Sequence, residues 1–239
     1  MQRHLQHELM DDPSLDAGEH RRALAGLARI NVLSDAAAPI WRAINAWHNQ
    51  DSVRMPPSLL DIASGSGDVL LGVDRNARRH GVSLELHAAD LSAEALRVIV
   101  ERSNRAEKSV TTHQYDATSA NSLIEGEPFD IVMCSLFLHH LPEQTIESLL
   151  RRMTSLVRPG GLVVISDLER TSLGLLAART VPRLLTRSHV VHVDAVRSVQ
   201  GALTQGELTE LASCAGMHHC AIRGVWPFRM LLTWQRGHS

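Results

Sequence analysis

Carboxylates and small residues recur at regular places in the first half of this chain, and each recurrence suggests contact with a ligand. Residues 59–68 read LLDIASGSGD: a short apolar run holding Asp61, then Ala63, Ser64, Gly65, Ser66 and Gly67, then an apolar helical pattern over 69–73. Gly65 and Gly67 lack a Cβ, so the backbone can turn sharply there and come close to a bound molecule. About 20 residues further on, a second strand pattern over 84–89 ends at Asp90, placed to accept hydrogen bonds from both hydroxyls of a ribose. A third pattern over 110–115 ends at Asp116, within reach of an adenine amino group. A fourth, over 129–134, leads to adjacent histidines, His139 and His140. Histidine near its reference pKa can take a proton from a hydroxyl acceptor. Two neighbours entering a helix are expected to diverge, so at most one of them meets the reacting atom. His189 and His192, from a later segment, are the alternatives, and Asp167 closes the fifth strand pattern.

These residues need a scaffold that presents successive strand ends side by side. Strand and helix patterns alternate from 59 to 167, which predicts a Rossmann-like α/β fold: a seven-stranded, mostly parallel sheet with helices on both faces. A dinucleotide fingerprint would carry a third glycine where this chain has Leu70, which argues against NAD. A Pro159-Gly160-Gly161 turn is expected between the fourth helix and the fifth strand. Before the sheet, residues 1–52 form an N-terminal helical cover. One helix carries Ala23, Leu24, Leu27 and Ile30; the next carries Ile40, Trp41, Ile44 and Trp47, with both tryptophans docked on the core. Residues 53–239 form the cofactor-binding domain. A lid insertion over 169–203 includes a helix at 172–185 closed off around Pro182, and such insertions lie over the pocket. Thr204 followed by Glu207 is a capping-box pattern that opens a further helix, and a hairpin split by Pro227 ends the chain.

Composition narrows the partners. Twenty-four Lys and Arg stand against 26 Asp and Glu, giving a net charge of −2, too weak a field to favour nucleic acid or anionic lipid. Only 3% of residues are aromatic, which argues against base stacking. Cys134, Cys214 and Cys220 have no metal-ligand spacing and read as reduced, mostly packed thiols. The polar start MQRHLQHELMDDP has no signal-peptide core, and no apolar run approaches a membrane span, so a cytoplasmic location without membrane insertion is expected.

Taken together, DIASGSG, HAADLS, QYDAT, FDIVMCSLFLHHL and LVRPGGLVVISD resemble, in order and spacing, the motifs of class I S-adenosylmethionine-dependent methyltransferases. The likeness is to the small-molecule branch that includes quinone-biosynthesis enzymes, and it covers about 59–167. Ala63 replaces the first glycine of the family's loop. Carried over residue by residue, the resemblance implies cofactor contacts from Asp61, Ala63, Gly65, Gly67, Asp90, Leu91, Asp116, Ala117 and Ser135, with His139 or His140 assisting catalysis. Some relatives hold a divalent ion with glutamates near the fourth strand, but Leu136 and His139 stand in their places here, so no metal is expected. The run MDDPSLDAGEHRRALAGLARINVLS resembles methyltransferases associated with type III polyketide synthases, which implies a phenolic or polyketide-like acceptor methylated on oxygen. A carbon methyltransferase on a quinone precursor and a non-catalytic cofactor-binding regulator stay open as alternatives. The sequence does not settle the oligomeric state.

Overall fold

The apolar runs become the inner strands. In the computed structural model, which describes residues 1–11, 15, 16, 18, 19, 22, 23, 26, 35–49, 56–119, 124 and 128–237, β1 (Ser58–Ile62) is buried along its whole length. So is nearly all of β4 (Phe129–Ser135). Uninterrupted burial is what a parallel strand covered on both faces requires. With β2 (Glu85–Asp90), β3 (Val110–Gln114), β5 (Val157–Leu168), β6 (Ala221–Val225) and β7 (Arg229–Gln235), they form one seven-stranded sheet in the order β3-β2-β1-β4-β5-β7-β6. Strands β1 to β5 pair in parallel, and β7 runs antiparallel between β5 and β6. The order reverses between β1 and β4. Above that reversal the connections leave in opposite directions and open a crevice at the carboxyl ends of the strands, where ligands bind in open α/β sheets.

Two apolar layers hold the sheet. One face carries α1 (Ala37–His48), α2 (Asp68–Arg79) and α3 (Ala93–Arg105); the other carries α4 (Glu143–Leu156) and α7 (Gln205–Cys214). Helix α1 turns Ile40, Trp41, Ile44 and Trp47 onto the sheet, and Trp47 Nε1 donates to Gly160 O at 2.9 Å. Both tryptophans are docked as expected, each burying a large apolar area with its N–H or edge accommodated. Residues 20, 21, 24, 25 and 27–34 of the earlier helix expected around Leu24, Leu27 and Ile30 lie outside the described residues. Thr204 and Glu207 make the anticipated capping box, each side chain accepting the other's backbone N–H, worth about 1 kcal/mol.

Two local readings need correction. The Pro159-Gly160-Gly161 turn lies inside β5. Pairing with β4 steps from Phe129↔Val157 to Ile131↔Leu162, so the extra residues bulge out without ending the strand. The helix expected at 172–185 is α5 (Ser172–Leu185), with Pro182 in its last turn. The segment after it is a second helix, α6 (His189–Gly201), capped by Ser188. The insertion thus leaves the sheet at Glu169 and returns at Leu203, and these two residues form a bridge. Of the cysteines, Cys134 is buried and Cys220 half-buried, but Cys214 is exposed. No helix among the described residues is long and apolar enough to cross a membrane.

Candidate active site

At the top of β1 the chain turns through Ala63, whose φ of 56° is left-handed, then Gly65 at 54° and Gly67 at 73°. Ser64 N donates to Ala89 O at 3.1 Å, tying the loop to β2. A Cβ added to Gly67 would lie 3.0 Å from Ile99 Cγ1, whereas one added to Gly65 would meet nothing within 4 Å. The loop is therefore closed against α3 at Gly67 and open on the crevice side at Gly65.

Asp90 ends β2 and joins both loops: its Oδ2 accepts from Gly65 N at 2.8 Å and its Oδ1 from Ser92 N at 2.9 Å. Each carboxylate oxygen keeps a further lone pair for a ligand hydroxyl. Beside it Leu91 is 64% exposed, an apolar surface at the lip of the crevice. Asp116 accepts from Thr118 N at 2.8 Å and Thr118 Oγ1 at 2.6 Å, and these bonds hold its carboxyl below the usual range. Ala117 packs against the core, and Ser135 ends β4 half-buried. Asp61 is the unusual member. It is 1% exposed, its Oδ1 has no hydrogen-bond partner, and burial, with the charge of Asp90 adding to it, pushes its pKa up to about 8 against the opposing Ser64 hydroxyl. A buried carboxyl with an orphaned oxygen is stable as a carboxylate only when a cation joins it.

Across the crevice, the loop after β4 is held by Asp167 at the end of β5. Asp167 Oδ2 accepts from Phe137 N (3.1 Å) and Leu138 N (2.6 Å); Oδ1 accepts from Leu168 N and from His139 Nδ1, both at 2.6 Å. Burial alone would raise Asp167, but His139 and the backbone donors of Leu168 and Leu138 outweigh it and hold the carboxyl low. Burial would likewise lower His139, yet Asp167, with help from Glu8, raises it above its ordinary value. His140 shifts the other way: burial and the neighbouring His139 outweigh the charge of Asp167 and push it down to about 4.

The two rings do not diverge. They lie in the short 3-10 turn Leu138–His140 with centroids 4.2 Å apart and planes at 35°.

Sequence reasoning missed the N-terminal segment's part in this loop. Arg3 donates to Leu141 O at 2.7 Å and Gly201 O at 2.7 Å, bracing the histidine turn against α6. Glu8 Oε1 lies 3.8 Å from His139 Nε2 and 4.0 Å from His140 Nδ1. Among the described residues, Glu8, His139 and His140 are the one group of three such donors within 4.8 Å of one another, an arrangement able to hold a divalent ion. No local sequence signal announces contacts between residues more than 130 positions apart. The alternative histidines fall elsewhere: His189 is exposed, and His192 Nε2 bonds Thr186 O at 2.8 Å.

The crevice thus has a glycine loop and three strand-end acids on one side and an Asp-oriented histidine on the other. Residues 59–161 match the family model described as "Methyltransferase domain". Over that stretch, less than half of its length, the chain is similar to methyltransferase domains. Among curated relatives, a ubiquinone biosynthesis O-methyltransferase of Ralstonia nicotianae is 29% identical over 173 residues, covering 70% of this chain and 65% of that protein. Another, of Albidiferax ferrireducens, is 30% identical over 145 residues, covering 58% and 54%. The chain therefore spans less than two thirds of the length of these two relatives. Solved structures share the fold. The plantazolicin methyltransferase in complex with SAH superposes with a TM-score of 0.66 at 15% identity, covering 95% of this chain and 91% of that one. Magnesium protoporphyrin IX methyltransferase from Synechocystis PCC 6803, with bound SAH, gives 0.55 at 13% identity, covering 95% and 90%.

Proposed function

We propose that this chain transfers a methyl group from S-adenosylmethionine to the oxygen of a small phenolic or polyketide-like acceptor. The observation that carries the reading is the orphaned, buried Asp61 carboxyl at the foot of a glycine loop, flanked by Asp90 and Asp116 at the next two strand ends. That floor suits a ligand bearing cationic groups at one end and a ribose at the other. Asp61 would meet the ammonium, the open side of Gly65 the methionine backbone, Asp90 the ribose hydroxyls and Asp116 with Ala117 the adenine. Ala63, Gly67, Leu91 and Ser135 would complete the contact surface. The ubiquinone biosynthesis O-methyltransferases among its relatives support an acceptor hydroxyl.

When bound, S-adenosylmethionine supplies a methyl already activated on a sulfonium sulfur. The chain's own task is to align an oxygen with that carbon, exclude water and take up the acceptor's proton. His139 is built for the last part. With Nδ1–H donated to Asp167, its Nε2 is left as the acceptor, and Asp167 raises its basicity. His139 Nε2 would take up the proton that the acceptor hydroxyl gives up on methylation. His140, pushed down to about 4, is the poorer base and shields the turn. Residues 1–52 and the 169–203 insertion cover the acceptor. Arg3 and Glu8 on one side and α6 on the other already close over the histidine turn. Neither nucleic acid nor a membrane enters this reading, and the reaction is placed in the cytoplasm.

The test is a mixed panel of phenols, quinols and short RNA offered with methyl-labelled cofactor, followed by location of the label. Label on a phenolic oxygen is expected. Label on a ring carbon would refute the oxygen assignment, and label on RNA alone would overturn the small-molecule reading.

A further inference from the structure

Arg229 opens β7 and is 4% exposed, yet its guanidinium Nε and Nη1 are wholly buried with no hydrogen-bond partner among the described residues. A guanidinium cannot shed its charge as a lysine can, so burial without a counter-ion is costly unless a ligand supplies one. The acid whose field it feels, Asp167, already accepts four hydrogen bonds from Phe137, Leu138, Leu168 and His139, and forms no ion pair with it. The position of Arg229 matters as much as its isolation. It lies opposite Leu168 across the β5–β7 ladder, at the carboxyl end of β5 and next to the residue that orients His139. It is also one residue beyond Phe228, whose Cβ would lie 3.3 Å from a Cβ added to Gly174 at the start of the insertion helix α5. The sequence offers one hint: a cation at the mouth of an otherwise apolar strand, FRMLL.

We infer that Arg229 is the anion-binding group of the acceptor site, and that the acceptor carries a carboxylate at a fixed distance from the hydroxyl that is methylated. This rests on the reading of the crevice as a methyltransferase site and narrows its substrate class. The planar fork of arginine accepts a carboxylate through two parallel N–H donors, which orients a small ring as well as binding it. The acceptor is then held at two points: its carboxylate on Arg229 beyond the end of β5, and its hydroxyl toward His139 Nε2.

The experiment uses the full chain with a set of phenols that bear a ring or side-chain carboxylate, each paired with its neutral amide. Binding of each is titrated in the presence of S-adenosylhomocysteine, and methylation is measured with labelled cofactor. The wild-type protein should favour the carboxylate of at least one pair by about 100-fold in kcat/KM, the discrimination expected when a buried charged group is left unmatched. Arg229→Met should abolish that preference chiefly through KM, leave S-adenosylhomocysteine affinity unchanged and raise the thermal stability of the ligand-free protein. Arg229→Lys should restore part of the preference. Equal activity on acids and amides in the wild type, equal loss on both in Arg229→Met, or binding of neither member of any pair would overturn the assignment. Failure of S-adenosylhomocysteine itself to bind would instead refute the methyltransferase reading on which it rests.

Discussion

Replacing Asp61 by asparagine should stabilise the ligand-free protein while weakening its hold on the cofactor. Asp61 is buried with an unpartnered Oδ1, and its pKa is pushed up to about 8 from an ordinary value of 3.8. The sign follows from linkage. Between those values the folded state binds a proton that the unfolded chain has lost, so stability falls as pH rises from about 4 to about 8. At pH 7 the unfolded chain gains the free energy of ionising this carboxyl and the folded chain does not. Roughly three pH units at about 1.36 kcal/mol each put that penalty on the order of 4 kcal/mol. The amide of Asp61→Asn is nearly isosteric and does not ionise, so the penalty disappears. For 239 residues the melting temperature should rise by roughly 8 °C at pH 7. The assay is thermal unfolding followed by circular dichroism at pH 5, 7 and 9 for both proteins, with the gap widening as pH rises. In the same variant, loss of a charge-assisted bond to the ligand ammonium should weaken S-adenosylhomocysteine binding about tenfold or more. Asp61→Asn that is less stable than wild type at pH 9, or that keeps the wild-type pH slope, would refute the reasoning.

Ala63 holds φ at 56° where a glycine would be unstrained, so Ala63→Gly should stabilise the fold by about 1 kcal/mol; denaturant titration should show a higher midpoint at unchanged slope. Gly67→Val would place a branched side chain in left-handed backbone against Ile99 and should cost several kcal/mol along with cofactor binding; a variant that melts and binds normally would show the loop to be an ordinary corner. Asp167 raises His139, so activity should fall as pH drops through a value above 6.5; Asp167→Asn should shift that inflection downward and cut kcat by about 100-fold, as a pH–rate profile would show.

The parts of the site legible in the sequence are those whose chemistry is local. A strand followed by small residues must turn, and an acid at a strand end must face the same edge as its neighbours; spacing alone therefore puts Asp61, Asp90 and Asp116 toward the carboxyl end of the sheet. What escapes depends on distant packing. Helix α6 is hidden because its Val190-Val191-His192-Val193 run lacks a clear 3.6-residue stripe, and tertiary contacts with the N-terminal segment and the histidine turn override that weak propensity. Pro159 looks like a break in the sequence, but it bulges out of a ladder. The bracing of His139 by Arg3 and Glu8, and the isolation of Arg229, arise only once the sheet has folded.

Isothermal titration of S-adenosylhomocysteine into the full chain, wild type beside Asp90→Ala, tests the central claim most directly. Asp90 ties the glycine loop to the end of β2 and, in the proposed reading, would offer its remaining lone pairs to a ribose, so its loss should remove charge-assisted bonds worth on the order of 1.5–3 kcal/mol. The account predicts one site per chain in the wild type and at least tenfold weaker binding in the variant, with the melting profile still cooperative. No heat of binding to the wild type, or equal affinity in the two proteins, would contradict it.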